Sequence, residues 1–168
     1  ALYDSLLEVG VVPVGIETYA NSRRLEKSFR LQGADLETEY TAIEAAIQRP
    51  LVKEADFHGK AAHLVQREED PCAILCTMTL DDLNVSGKTR YPVGISPIID
   101  PATGEVPIDS KGRRSYTTGM SYCPSLKKFV VMGYLPKEIA IQGKSLLIEY
   151  FNAVSYTHLT LPTSGGVV

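Results

Sequence analysis

Cys72-Ala73-Ile74-Leu75-Cys76-Thr77-Met78-Thr79-Leu80 is the point at which the chain changes its period. Ile74, Cys76, Met78 and Leu80 alternate with Thr77 and Thr79, the two-residue repeat of a strand with one face buried. Before this stretch apolar residues recur at helical spacing. After it, strands are expected near residues 93–99, 115–121, 129–134 and 145–151, with Asp100-Pro101-Ala102-Thr103-Gly104 as a turn between two of them. Helices first and short strands afterwards define an α+β chain that ends in an antiparallel barrel or sandwich.

Working upstream, Leu2, Tyr3, Leu6 and Leu7 share one helical face, and Gly10 follows as a C-terminal cap. Asn21 or Ser22 can cap a short helix that runs through Arg30. In that helix Leu25 and Phe29 lie four apart on one face, and Glu26 and Arg30 form an i,i+4 pair. Thr41-Ala42-Ile43-Glu44 reads as a capping box, in which hydroxyl and carboxylate satisfy free amides reciprocally. About two helical turns are expected after it, stopped by Pro50. Asp56 is expected to cap a third helix reaching Glu68, with Ala61, Leu64 and Val65 inward. The segment from Val154 to Thr163 follows the last expected strand without turn chemistry. It is similar to the translation of a sequencing adapter, so residues 154–168 are expected to be a non-native tail.

The whole chain of 168 residues carries 17 Lys and Arg against 20 Asp and Glu, a net charge of −3. It therefore lacks the basic excess of a nucleic-acid binder. No apolar run approaches the ~20 residues that span a bilayer. Cys72, Cys76 and Cys123 form an odd count without a spacing framework, which fits a reducing compartment and a cytoplasmic location. They read as small core residues.

Motifs that would declare a chemistry are missing. There is no glycine-rich dinucleotide or phosphate loop, no H-E-x-x-H and no C-x-x-C. His58 and His63 are five apart and do not share a helical face as zinc ligands would. Neither they nor His158 completes a Ser-His-Asp set. Glu37, Glu39 and Glu44 read as helix-start charges. Lys111-Gly112-Arg113-Arg114 reads as a solvated edge, or alternatively as a place for an anionic ligand tail. The residues alone give a soluble α+β chain and no reaction.

Four blocks in order carry a resemblance to a known family. They are Arg24-Leu25-Glu26-Lys27-Ser28-Phe29-Arg30-Leu31-Gln32-Gly33-Ala34-Asp35-Leu36, then Thr38-Glu39-Tyr40-Thr41-Ala42-Ile43-Glu44-Ala45, then Asp56-Phe57-His58-Gly59-Lys60. The last is Tyr116-Thr117-Thr118-Gly119-Met120-Ser121-Tyr122-Cys123-Pro124-Ser125-Leu126-Lys127-Lys128, followed by Met132-Gly133-Tyr134-Leu135-Pro136. Together they resemble the aminomethyltransferase family, which includes the glycine cleavage T-protein and the folate-binding halves of dimethylglycine and sarcosine dehydrogenases.

The resemblance implies a C-terminal fragment. Residues 1–70 would be the end of a folate-binding domain, and residues 71–153 a C-terminal antiparallel β-barrel. It implies transfer of a one-carbon unit from a small amine donor to tetrahydrofolate. It also implies no catalytic residue within this chain, since the family's acid/base Asp and pterin-binding Glu precede the matched blocks. The chain alone is therefore expected to be inactive.

Where the T-protein carries an Arg in an A-R-D-S segment, this chain has Tyr19-Ala20-Asn21-Ser22. That places it nearer the dimethylglycine-type branch, with a flavin dehydrogenase domain fused or as a partner. The folate-facing candidates are Arg90, ahead of Tyr91-Pro92, for a carboxylate tail, and Tyr19, for stacking on a pterin. Gly119 suits a bulge or a close approach in a strand, and Arg24 and Glu26 a structural role at the short helix. A non-catalytic folate-binding or regulatory homologue of the same superfamily is the alternative reading.

Overall fold

The computed structural model describes residues 1–49, 51–80, 94–150 and the backbone of 84–85, 88–89 and 153–160. Arg90 lies outside the described residues. Helix α1 (Leu2–Glu8) is followed by a π-helical stretch, Glu17–Arg23, that runs directly into the short α2 (Arg24–Glu26); α3 spans Lys60–Glu68. The strands are β1 (Ala73–Leu80), β2 (Asn84–Val85), β3 (Lys88–Thr89), β4 (Ile98–Ile99), β5 (Thr117–Cys123), β6 (Lys128–Pro136), β7 (Ser145–Tyr150) and β8 (Ala153–Thr160). Six of them form one antiparallel sheet in the order β4-β7-β8-β1-β6-β5, and β2 pairs with β3.

The mixed α and β composition with an antiparallel sheet in the second half matches the expectation. The outer strands of the sheet meet through one antiparallel bridge, Pro97 to Tyr116, and not through a full ladder. Around it Thr117 N–H donates to Ser96 O at 2.9 Å and Ile98 N–H to Ser115 O at 3.2 Å. The backbone of Ala153–Thr160 lies in the sheet between β7 and β1.

Strand β1 is buried on both faces, not on one. Cys76, Met78 and Leu80 pack with Ile98, Val131, Leu135, Leu146, Ile148 and Tyr150 in one core. Ala73 and Leu75 face a second core made with Leu25, Ala45, Cys123, Val130, Met132 and Tyr134. The second core exists because residues 24–45 lie across the sheet. Thr77, which alternation would leave in water, is 2% exposed and shares a hydrogen bond with the buried Ser28 hydroxyl. Burial on both faces explains why the apolar character of this strand is nearly continuous.

The helix expected through Arg30 ends four residues earlier. Ser28 takes φ 56°, which turns the chain out of the helix. Leu25 is thus fully buried while Phe29 is 65% exposed, and the two no longer share a face. Glu26 pairs with Arg23 at 2.7 Å, not with Arg30, whose guanidinium donates to Ala45 O at 2.9 Å. The capping box is present: Thr41 N–H donates to Glu44 at 2.9 Å and Glu44 N–H to Thr41 Oγ1 at 3.1 Å. Only one turn follows, because Ala46 adopts φ 53°.

Helix α3 starts at Gly59, at φ 83°, and not at a capping Asp56. Leu64 and Val65 are 43% and 60% exposed, so the face expected to point inward does not. The α1 face is likewise open, with Leu2, Tyr3, Leu6 and Leu7 all exposed, and it continues into exposed Val9, Val11, Val12, Val14 and Ile16. Contiguous apolar surface on this scale binds apolar probes. Leu6→Ser with Val12→Ser is expected to lower the fluorescence of an apolar dye bound to the chain. The unfolding midpoint should hold to within about 0.5 kcal/mol, since neither side chain is packed. Unchanged dye binding would mean that these side chains are covered in solution.

Candidate functional site

The break in the helix at Ser28 creates a cleft. It is lined by Tyr19, Ala20, Arg23 and Arg24 before the break and by Lys27, Phe29, Arg30 and Leu31 around and after it. The cleft has a volume of about 370 Å³, within the range of small-molecule sites. Tyr19 is 78% exposed, so it is not a core aromatic. Phe29 presents a second exposed ring to the same cleft. Arg23 Nη1 is held by Glu26 and by Ser125 Oγ, each at 2.7 Å. Lys27 is exposed and sits on the wall that this cleft shares with a neighbouring one formed by Arg23, Glu26, Ser125 and Leu126. Two flat apolar rings flanked by cations suit a planar ligand that carries a negative charge.

The groups beneath the cleft are tied into the sheet. Arg24 forms an ion pair with the fully buried Asp35. Asp35 also accepts from Leu31 N–H at 2.8 Å and from Thr118 Oγ1 at 2.5 Å, and its carbonyl accepts from the Tyr134 hydroxyl at 2.7 Å. Glu26 accepts from Ser125 N–H at 2.8 Å. Burial opposes its ionisation, but the Ser125 amide and Arg23 outweigh that and hold its carboxyl below the ordinary value. Arg24 and Glu26 thus each lock the short helix, through different partners.

Arg113 is not on a solvated edge. Its side chain is 14% exposed and lies between Glu44 at 2.5 Å and Asp109 at 2.7 Å. It also donates to Glu39 O and covers the Tyr40 ring at 4.3 Å, and Tyr40 stacks on Tyr134 at 3.5 Å. With both carboxylates engaged, Arg113 is a clamp between residues 39–44 and the 109–113 turn, not a receptor for an anion. Glu44 is likewise more than a helix-start charge. It is 1% exposed, and its carbonyl accepts from Leu75 N–H of β1 at 2.8 Å.

The cysteines are free. Burial pushes the Cys76 and Cys123 thiols up to about 12, which removes them as nucleophiles near neutral pH. Among the described residues no group of three or more His, Cys, Asp and Glu side chains could hold a metal ion. Among the same residues no helix is long and apolar enough to cross a membrane.

Of the two candidates read from the sequence, Tyr19 lines the cleft and Arg90 falls outside the described residues. Phe29 was missed. Nothing local marks it, because its exposure follows from the left-handed Ser28 and not from spacing. Gly119 does sit at an irregularity of the β5–β6 ladder.

In sequence the chain is similar to aminomethyltransferases. The aminomethyltransferase of Francisella philomiragia is 30% identical over 159 residues, 90% of this chain and 40% of that protein. That of Francisella tularensis subsp. tularensis is 29% identical over 155 residues, 88% of this chain and 39% of that protein. In fold the chain is similar to glycine cleavage system aminomethyltransferase T from Bartonella henselae, with a TM-score of 0.60 at 24% identity, over 84% of this chain and 37% of that one. No family model matches the chain. The chain spans about two fifths of the length of the curated relatives it matches.

Proposed function

We propose that this chain is the C-terminal part of a folate-dependent aminomethyltransferase, and that the Tyr19–Phe29 cleft holds one end of tetrahydrofolate. The observation that carries this reading is the pair of exposed rings that line one cationic cleft in a chain similar to aminomethyltransferases. The residues fit such a ligand. Tyr19 and Phe29 offer faces for a flat aromatic system, and Arg23 and Lys27 lie where a carboxylate could pair. When bound, tetrahydrofolate would accept a one-carbon unit from a small amine donor. This chain's part is binding and orientation, with no acid or base assigned to it. Residues 71–153 are read here as the barrel domain, and the bonds joining residues 95–98 to 115–117 support a sheet whose outer strands meet.

The test is binding of 5-methyltetrahydrofolate to the full-length protein. Tyr19→Ala and Phe29→Ala are each expected to weaken it about tenfold, the scale of one lost stacking contact. At a hundredfold excess of ligand over Kd the wild type should gain about 2.7 kcal/mol of stability. Unchanged affinity in both variants would place the ligand elsewhere. Binding without any turnover of an amine donor would favour the non-catalytic homologue.

A further inference from the structure

We infer that Arg24 is the positioning residue of the Tyr19–Phe29 cleft, and that β5 carries glycine at position 119 because any side chain there would displace the Arg24 guanidinium. The inference rests on the ligand reading of the cleft given above. Arg24 Nε donates to Ala20 O at 2.5 Å, and Nη1 donates to Phe29 O at 3.2 Å. Ala20 adjoins Tyr19, and Tyr19, Ala20 and Phe29 all line the cleft. One guanidinium therefore fixes the main chain both beside Tyr19 and at Phe29. Phe29 needs such a tie, since it lies beyond the end of α2 where Ser28 has turned the chain outward.

The guanidinium cannot drift, because its counter-ion is itself fixed. Asp35 is fully buried and is held by Leu31 N–H and Thr118 Oγ1. Met132 Sδ adds a contact at 3.8 Å from the sheet side. A Cβ at position 119 would lie 2.6 Å from Arg24 Nη2 and 3.5 Å from Asp35 Oδ1. The end of an arginine normally yields to such a clash, but here yielding means leaving Asp35, Ala20 O or Phe29 O. Gly119 does not line the cleft, so a methyl group there alters the cleft without touching any ligand-facing group.

The experiment measures Kd for 5-methyltetrahydrofolate, together with the unfolding midpoint, in the full-length protein. Gly119→Ala and Arg24→Lys are each expected to weaken binding about tenfold, because a misplaced cleft wall loses contact geometry. The double variant should bind no worse than Arg24→Lys alone, since the shorter lysine removes the clash; this non-additivity marks a shared partner. Gly133→Ala is the matched control. Its Cβ would lie 2.7 Å from Tyr116 O and 2.8 Å from Ile98 Cδ1, away from the cleft. It should lower the midpoint and leave Kd within about twofold. A merely structural role for Arg24 predicts the same pattern for Gly119→Ala as for Gly133→Ala, and that result overturns the inference. If Phe29→Ala weakens binding while Gly119→Ala and Arg24→Lys do not, the cleft reading stands and the positioning inference falls. If the wild type does not bind at all, both fall together.

Discussion

Arg113→Met is expected to destabilise the protein by about 3–5 kcal/mol, the cost of leaving buried carboxylates without their cation. Glu44 and Asp109 are 1% and 7% exposed, and each bonds Arg113 directly. Lys111 reaches Glu44 only at 3.9 Å from an exposed position and replaces little of that pairing. The loss should also depend on pH in a defined direction. Burial works against ionisation of Glu44, but Arg113, the Thr41 amide and Lys111 together hold its carboxyl below the ordinary value of 4.5. Asp109 is likewise held below 3.8, with burial outweighed by the amides of residues 113 and 111 and by the guanidinium. A carboxyl whose folded value is lowered contributes stability that is complete above its unfolded value and is lost as pH falls through the folded one. The wild type should therefore weaken below about pH 4.5, the unfolded value for glutamate. In Arg113→Met, burial is no longer outweighed, and protonation relieves the buried charge instead. The difference between the two proteins should shrink as pH falls from 7 to 4. Urea midpoints at both pH values measure it, and an equal difference at the two would rule out the clamp.

What could be read from the sequence, and what could not, divides by the range of the interaction. The existence of β1, the Asp100 turn and the Thr41–Glu44 capping box is written in residues two to four apart, and each is found, although β1 is buried on both faces and not on the one its alternation implied. In the turn Ala102 N–H donates to Asp100 Oδ1 at 3.0 Å and Gly104 N–H to Asp100 O at 2.8 Å. The helix ends at Ser28 and Ala46 were not legible, because neither serine nor alanine announces a left-handed backbone. Ser28 is held there by Thr77, 49 residues away, and Arg30 reaches Ala45 O, 15 residues away. Arg113 looked like a solvated charge because it lies in the basic run Lys111-Gly112-Arg113-Arg114. Its partner Glu44 is 69 residues distant, and no local pattern names it. The candidate site divides in the same way. Tyr19 was legible through the family wording around it, whereas Phe29 came to line the cleft only through the turn at Ser28. The apolar faces of α1 and α3 were read correctly as helical stripes, and that of α3 wrongly as a buried one. Periodicity shows that a face is apolar but not what covers it.

Asp35→Asn is expected to cost about 3–5 kcal/mol, as large an effect as the loss of Arg113, because it leaves the Arg24 guanidinium buried beside a neutral amide. The side chains of this pair are 9% and 0% exposed, so solvent cannot take over the charge. The change is nearly isosteric, which separates charge from volume. Leu31 N–H bonds one Asp35 oxygen and Thr118 Oγ1 the other, so the single amide oxygen of Asn keeps one of these bonds and the loss reports on the ion pair with one hydrogen bond and not on a cavity. Arg24→Met alone should be costly for the converse reason, an uncompensated Asp35. Combining the two should recover part of the sum, with an interaction energy of about 1–3 kcal/mol in the double-mutant cycle. The ligand readout should behave differently. The double variant regains stability but not affinity, since methionine cannot donate to Ala20 O and Phe29 O. Additive stability losses would show that Arg24 and Asp35 act independently. Affinity restored along with stability would show that the cleft depends only on a folded segment 24–35 and not on the Arg24 guanidinium.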